Sequence, residues 1–98
     1  MDISRKEKYL YLNRLIGKIY KTLPLFEVEN MLPSNYLNDL IFEIHSANDI
    51  FNGILIEIIV KLNSLNKPNI SHGKLRKIIL ECTNMIVKML DEMKGDRE

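Results

Sequence analysis

The chain has 98 residues, of which 46% are hydrophobic and 28% charged, with a net charge of +1. That is one domain of ordinary globular composition, large enough to bury a core without disulfides. A single cysteine excludes an intrachain disulfide and fits a reducing compartment, and no run of 18 apolar residues is present, which excludes a helical membrane span.

Charge is segregated along the chain. Residues 1–21 carry six basic and two acidic side chains, residues 22–60 six acidic and no basic ones, and residues 61–98 eight basic and five acidic ones, or +4, −6 and +3. Two readings stand side by side: attraction between neighbouring helices, or a bipolar surface that selects a partner by complementarity. The N-terminal segment has the basic character of a signal peptide but no apolar stretch follows it, so a cytoplasmic protein is expected. Isoleucine, leucine, asparagine and lysine dominate, Ala47 is the only alanine, and glutamine is absent, a bias that suggests an A+T-rich genome, its phages or its mobile elements. Helices built with so little alanine depend on packing more than on intrinsic propensity.

A first helix is predicted from about Ser4 to before Pro24, with Tyr9, Leu12, Ile16, Ile19, Tyr20 and Leu23 on one face. Gly17 inside it costs about 1 kcal/mol against alanine and suggests close approach of another backbone. Leu25, Phe26, Val28, Met31 and Leu32 form an apolar connection expected to fold over one end of the bundle. Ser34 is the expected N-cap of the next helix.

From there one apolar stripe stays in phase for about seven turns at 100° per residue: Leu37, Leu40, Ile41, Ile44, Ala47, Phe51, Leu55, Ile58, Ile59, Leu62 and Leu65. The simplest reading is one long central helix of about 48 Å, ending near Asn66 before Lys67-Pro68-Asn69. Its one candidate break is Asn52-Gly53, a turn-forming dipeptide that would make a helical hairpin. The expected fold is therefore an all-α antiparallel bundle of three helices with a long central one, or of four if the chain reverses at Asn52-Gly53. A last helix follows Ser71 as N-cap, with Ile70 and Leu75 as a hydrophobic staple. Leu75, Ile78, Ile79, Cys82, Met85, Ile86, Met89, Leu90 and Met93 continue it with heptad-like spacing, and Gly95 ends it before a frayed Asp96-Arg97-Glu98.

Chemistry is sparse. Cys82 falls on an apolar stripe, where it acts as a small hydrophobe, and His45 with Asp49 makes a helical i, i+4 pair without a nucleophile beside it. Asp39, Glu43 and Glu57 point away from the stripe and no Glu-x-x-His repeat accompanies them, so neither a carboxylate metal site nor any cofactor is expected. No phosphate-binding glycine loop, zinc pattern or nucleophile elbow occurs, and the protein is expected to be no enzyme. The methionines Met85, Met89 and Met93 read as core filling.

Two clues remain. Phe42, Ile56 and Val60 lie roughly 120° from the main stripe, with Asp49 and Asn52 between them; they mark either a wide core or a protein interface, for which Phe42, His45, Asp49, Ile56 and Val60 are the candidate residues. Lys67, His72, Lys74, Arg76 and Lys77 crowd the start of the last helix, where the macrodipole is already positive, and are candidate contacts to an anion or nucleic acid. Size and layout resemble the small helical immunity proteins of bacteriocin producers and short helical proteins of phages and integrative elements. The resemblance covers architecture only and assigns no residue a role. The functional expectation is a protein-protein interaction module that binds and inhibits another protein, with immunity-like and nucleic-acid-binding alternatives. Because a long central helix exceeds what two neighbours cover, a homodimer is expected.

Overall fold

The computed structural model describes residues 4–67 and 69–95 and is all-helical there: α1 (Arg5–Tyr20), α2 (Thr22–Glu29), α3 (Ser34–Ala47), α4 (Ile56–Asn63) and α5 (His72–Gly95). Only Lys21, itself in right-handed helical conformation, separates α1 from α2. The two make one bent arm, so the fold has four helical arms. The expected three-helix count with a long central helix is overturned in favour of the four-helix alternative. The molecule measures 45 × 24 × 19 Å, an elongated bundle.

The long central helix fails because the chain reverses between Asn48 and Leu55. Asn52 and Gly53 both take left-handed backbone, φ 56° and 82°. Asn48 fastens the reversal: its carbonyl accepts from the amides of Phe51 and Gly53 at 3.1 and 2.9 Å, and its side-chain oxygen accepts from the Leu55 amide at 3.1 Å. The apolar stripe nevertheless marks the core correctly. Nine of its residues, Leu37, Leu40, Ile44, Phe51, Leu55, Ile58, Ile59, Leu62 and Leu65, are buried, and Ile41 and Ala47 pack against them. Successive i to i+3 bonds, from Ile50 to Ala47, Phe51 to Asn48 and Ile54 to Phe51, wind the reversal almost as a helix does. The apolar spacing therefore continues in phase while the axis turns.

Helix ends follow local chemistry. Ser4 and Glu7 form a reciprocal capping box on α1, each side chain accepting from the other's amide at 3.1 Å. Ser71 caps α5 by accepting from the Lys74 amide at 3.1 Å, as expected. Ser34 does not cap α3; it is the first helical residue, preceded by Pro33, whose ring supplies no cap oxygen. The α4 helix stops at Asn63, and i to i+3 turns carry the chain to Asn66. The expected fraying of Asp96-Arg97-Glu98 lies outside the described residues.

α1 packs on α5, α5 on α4 and α4 on α3. Leu12, Leu15 and Ile19 of α1 meet Leu75, Ile79, Cys82 and Ile86 of α5 in a common buried cluster. The fourth side, between α1 and α3, is closed by polar bridges instead: Lys18 Nζ lies 2.8 Å from Glu43 Oε1, and the Tyr36 hydroxyl donates to the Lys18 carbonyl at 2.6 Å. A cleft of about 590 Å³ remains there, lined by Arg14, Gly17, Lys18, Tyr36, Asp39 and Glu43 among others. Gly17 thus faces open space, and a Cβ added to it would meet nothing within 4 Å. The expectation that another backbone approaches it is wrong. Of the apolar connection, Phe26 is buried and Leu25 and Leu32 half-buried, but Val28 and Met31 project outward, 79% and 62% exposed. Val28 lies on the far side of the eight-residue α2, and Met31 lies beyond its end.

Candidate functional site

The reversal decides where the expected interface residues go. Asn66, just past α4, donates from its side chain to the Asn38 side chain of α3 at 3.1 Å, so the two helices run antiparallel with Phe42 and Val60 at nearby levels. Both helices bury one face, Leu40 and Ile44 on α3 and Ile58 and Leu62 on α4. Phe42 falls about 160–200° from Leu40 and Ile44 in helical phase, and Val60 about 160° from Leu62, which turns both outward. Phe42 is 74% exposed, Val60 61% and Ile56 49%. The reading of this second stripe as a widened internal core is overturned, since α3 and α4 already fill their inner faces with other residues.

His45 is exposed on α3, one turn beyond Phe42. Asp49 differs from its expected place: α3 ends at Ala47, so Asp49 belongs to the reversal, with its carbonyl accepting from the Asn52 amide at 3.1 Å. The i, i+4 pairing of His45 with Asp49 along one helix is lost with it. Phe42 and His45 on α3 and Ile56 and Val60 on α4 are all exposed, each turned from its helix's buried side, and Asp49 stands at the turn between the two helices.

Acidic side chains flank this face. Asp39 borders it on the side of the α1–α3 cleft, and Glu57 on the side of α5, close enough to raise the pKa values of Lys61 and Cys82. Asp39, Asp49 and Glu57 are exposed, and among the described residues none forms an ion pair. Of the basic groups nearby, Lys18 pairs with Glu43 and Lys61 with Glu81 at 3.2 Å, while Arg14 and Lys21 line the same cleft as Asp39. The hydrogen bond and charge of Glu81 hold the Lys61 ammonium above its ordinary pKa.

Of the basic set at the start of α5, Lys67 lines a cleft with Phe26, Asn30, Met31 and Asn66. Lys67, His72, Lys74, Arg76 and Lys77 are all exposed. His72 Nε2 lies 3.1 Å from Glu27 Oε2, and its ring sits 5.7 Å from that of Phe26. A carboxylate of the chain's own, Glu27, therefore stands beside the macrodipole at this helix end.

Cys82 is buried on α5, and desolvation pushes its thiol up to about 12. At neutral pH it is not a nucleophile. Met85, Met89 and Met93 are half-buried and pack against the core, as their spacing implies. Among the described residues no group of three or more His, Cys, Asp and Glu is placed to hold a metal ion, and no helix is long and apolar enough to cross a membrane.

Sequence reasoning missed the polar seam between α1 and α3. Tyr11 there has its hydroxyl buried, and burial, with the charge of Glu43 second, holds it well above the ordinary tyrosine pKa. Glu43 reads as a solvated helix residue in a list of i, i+4 neighbours, and only the tertiary pairing with Lys18 reveals its role. Comparison with family models, with characterised proteins and with solved structures yields no match.

Proposed function

We propose that the chain is a non-enzymatic protein-protein interaction module that docks another protein on the outer face of the α3–α4 hairpin and thereby inhibits it. The observation that carries this reading is the exposure of Phe42, Ile56 and Val60 on the two packed helices α3 and α4. A small protein that leaves a phenylalanine, an isoleucine and a valine in water exposes apolar area that a partner would cover. The composition supports a source in a phage or mobile element, where a small cytoplasmic inhibitor of a host or competitor protein would act. The homodimer expected from the sequence rested on an uncovered 48 Å helix; with that helix folded back, the same exposed face is the remaining support for self-association.

The test is Phe42→Lys combined with Val60→Lys. Both side chains are exposed, so helix content and the urea midpoint should stay close to the parent values, while a partner retained from extracts of the native host by the parent protein should be lost. Sedimentation equilibrium on the same samples reads self-association: a parent mass near 23 kDa that falls to the 11.5 kDa of one chain in the double variant makes the partner a second copy. If the double variant unfolds, the face is core and the proposal fails.

A further inference from the structure

The chemistry surrounding the exposed face specifies its occupant. Resting on the reading of this face as a docking surface, we infer that the partner presents a basic amphipathic helix, with an apolar stripe for Phe42, Ile56 and Val60 and lysines or arginines along its borders. The shape argument is that α3 and α4 lie side by side, antiparallel, and offer their outer side chains as two parallel ridges. A third helix seats a ridge between them, whereas an extended strand finds no sheet edge to pair with among the described residues.

The charge argument is independent of shape. No lysine or arginine occurs from residue 22 to residue 60. Asp39 and Glu57 border the apolar residues on opposite sides and Asp49 stands at the turn, all exposed and without an ion pair among the described residues. Three exposed carboxylates around an apolar centre are complementary to a cationic partner. A second copy in twofold symmetry would place this border against itself, Asp and Glu facing Asp and Glu, which opposes an isologous dimer through the face. The basic helices of a second copy would match the charge but not the apolar centre. On α1 the exposed large apolar side chains are Leu10 and Tyr20, ten residues apart, and on α5 among the described residues only Val87. The partner is therefore a different chain.

The probe is a fluorescein-labelled helical peptide of leucine and lysine, with leucine at i, i+3, i+4 and i+7, read by anisotropy against the full chain; its counterpart carries glutamate for every lysine. The lysine peptide should bind, bind less tightly as salt is added, and lose about tenfold or more in affinity to Asp39→Asn with Glu57→Gln. Asp39→Lys with Glu57→Lys should transfer preference to the glutamate peptide, and Phe42→Ala with Val60→Ala should remove binding of either. Circular dichroism of each variant confirms that the fold is retained. Equal binding of both peptides, indifference to the Asp39 and Glu57 changes, or no binding of the lysine peptide overturns the inference. Preferred, Phe42-dependent binding of the glutamate peptide by the parent protein overturns the basic partner but keeps the docking face. Lysine-peptide binding that survives loss of Phe42 and Val60 overturns both.

Discussion

Two of the breaks between helices, at Lys21 and at Asn52-Gly53, behave in opposite ways. Around Lys21 the chain contains a proline three residues on, yet it bends and continues as a helix. Around Asn52-Gly53 there is no proline, and it turns back completely. Pro24 bends the arm without reversing it: it cannot donate to the Tyr20 carbonyl four residues back, where the break falls, but in the first turn of α2 the rest of that helix forms normally. Beside the bend, Tyr36 of α3 donates to the Lys18 carbonyl, which in an unbroken helix would receive the Thr22 amide. At the reversal the decisive features are two consecutive left-handed residues and an asparagine that holds both sides of the turn. Backbone conformation and the fate of particular amides, more than the identity of the strongest helix breaker, determine where a helical arm ends.

The largest test of this contrast is Leu55→Ala. Leu55 is fully buried at the close of the reversal, while its amide is held by Asn48. Truncation leaves a cavity where α3, α4 and the turn converge, and a loss of about 2–5 kcal/mol is expected by urea denaturation. The half-buried Leu23 at the bend, truncated the same way, should cost clearly less. Equal losses would mean that the two interruptions are anchored alike.

A second test reads what the reversal covers. By turning back, the chain lays α4 against α5, and the burial of Cys82 follows. The thiol has an ordinary value of 9.0 and is raised to about 12 in the folded chain. Between those values the unfolded chain has lost the proton that the folded chain keeps, so stability falls as pH rises through that window and is unaffected below it. The slope should approach about 1.4 kcal/mol per pH unit from this group, and Tyr11, raised in the same direction, adds to it at the alkaline end. Cys82→Ala should flatten the loss between pH 9 and 10.5 relative to the parent chain, followed by chemical denaturation. An unchanged profile would remove Cys82 as its source.

The sequence carried the core almost completely, because burial of one helical face imposes a period that the apolar residues repeat, from Leu12 and Ile19 on α1 to Ile86 and Leu90 on α5. It carried the helix starts where a side chain makes the cap, at Ser4 and Ser71. It did not carry the direction of the chain at Asn48–Leu55. A reversal built from i to i+3 turns keeps the apolar spacing, so periodicity reports which residues are inside without reporting whether the axis is straight. The candidate face was legible for the same reason inverted: Phe42, Ile56 and Val60 are off the stripe in either geometry. What was lost was their arrangement, since a straight helix strings them along one line and a hairpin puts Phe42 and Val60 on neighbouring antiparallel helices. The polar seam of Lys18, Tyr36 and Glu43 was illegible because its partners lie 18 and 25 residues apart and no periodicity links them.

The smallest effects come from two glycines, and their signs should differ. Gly17 is in the interior of α1, at negative φ, and an added Cβ meets nothing within 4 Å. Alanine there loses the extra unfolded-state freedom of glycine and meets no clash, so Gly17→Ala should stabilise by about 0.5–1 kcal/mol. Gly53 is equally uncrowded, but its φ of 82° is one that L-residues avoid. Gly53→Ala should therefore destabilise by about 1 kcal/mol through the backbone alone, and the neighbouring Asn52, also left-handed, prevents the strain from being passed along the turn. Thermal melts of the two variants under identical conditions suffice as the measurement. Opposite shifts would establish that the bent arm tolerates its glycine and the reversal requires one. A stabilising Gly53→Ala would instead mean that the chain prefers a straighter path between α3 and α4, which would separate Phe42 from Val60 and take the docking face apart.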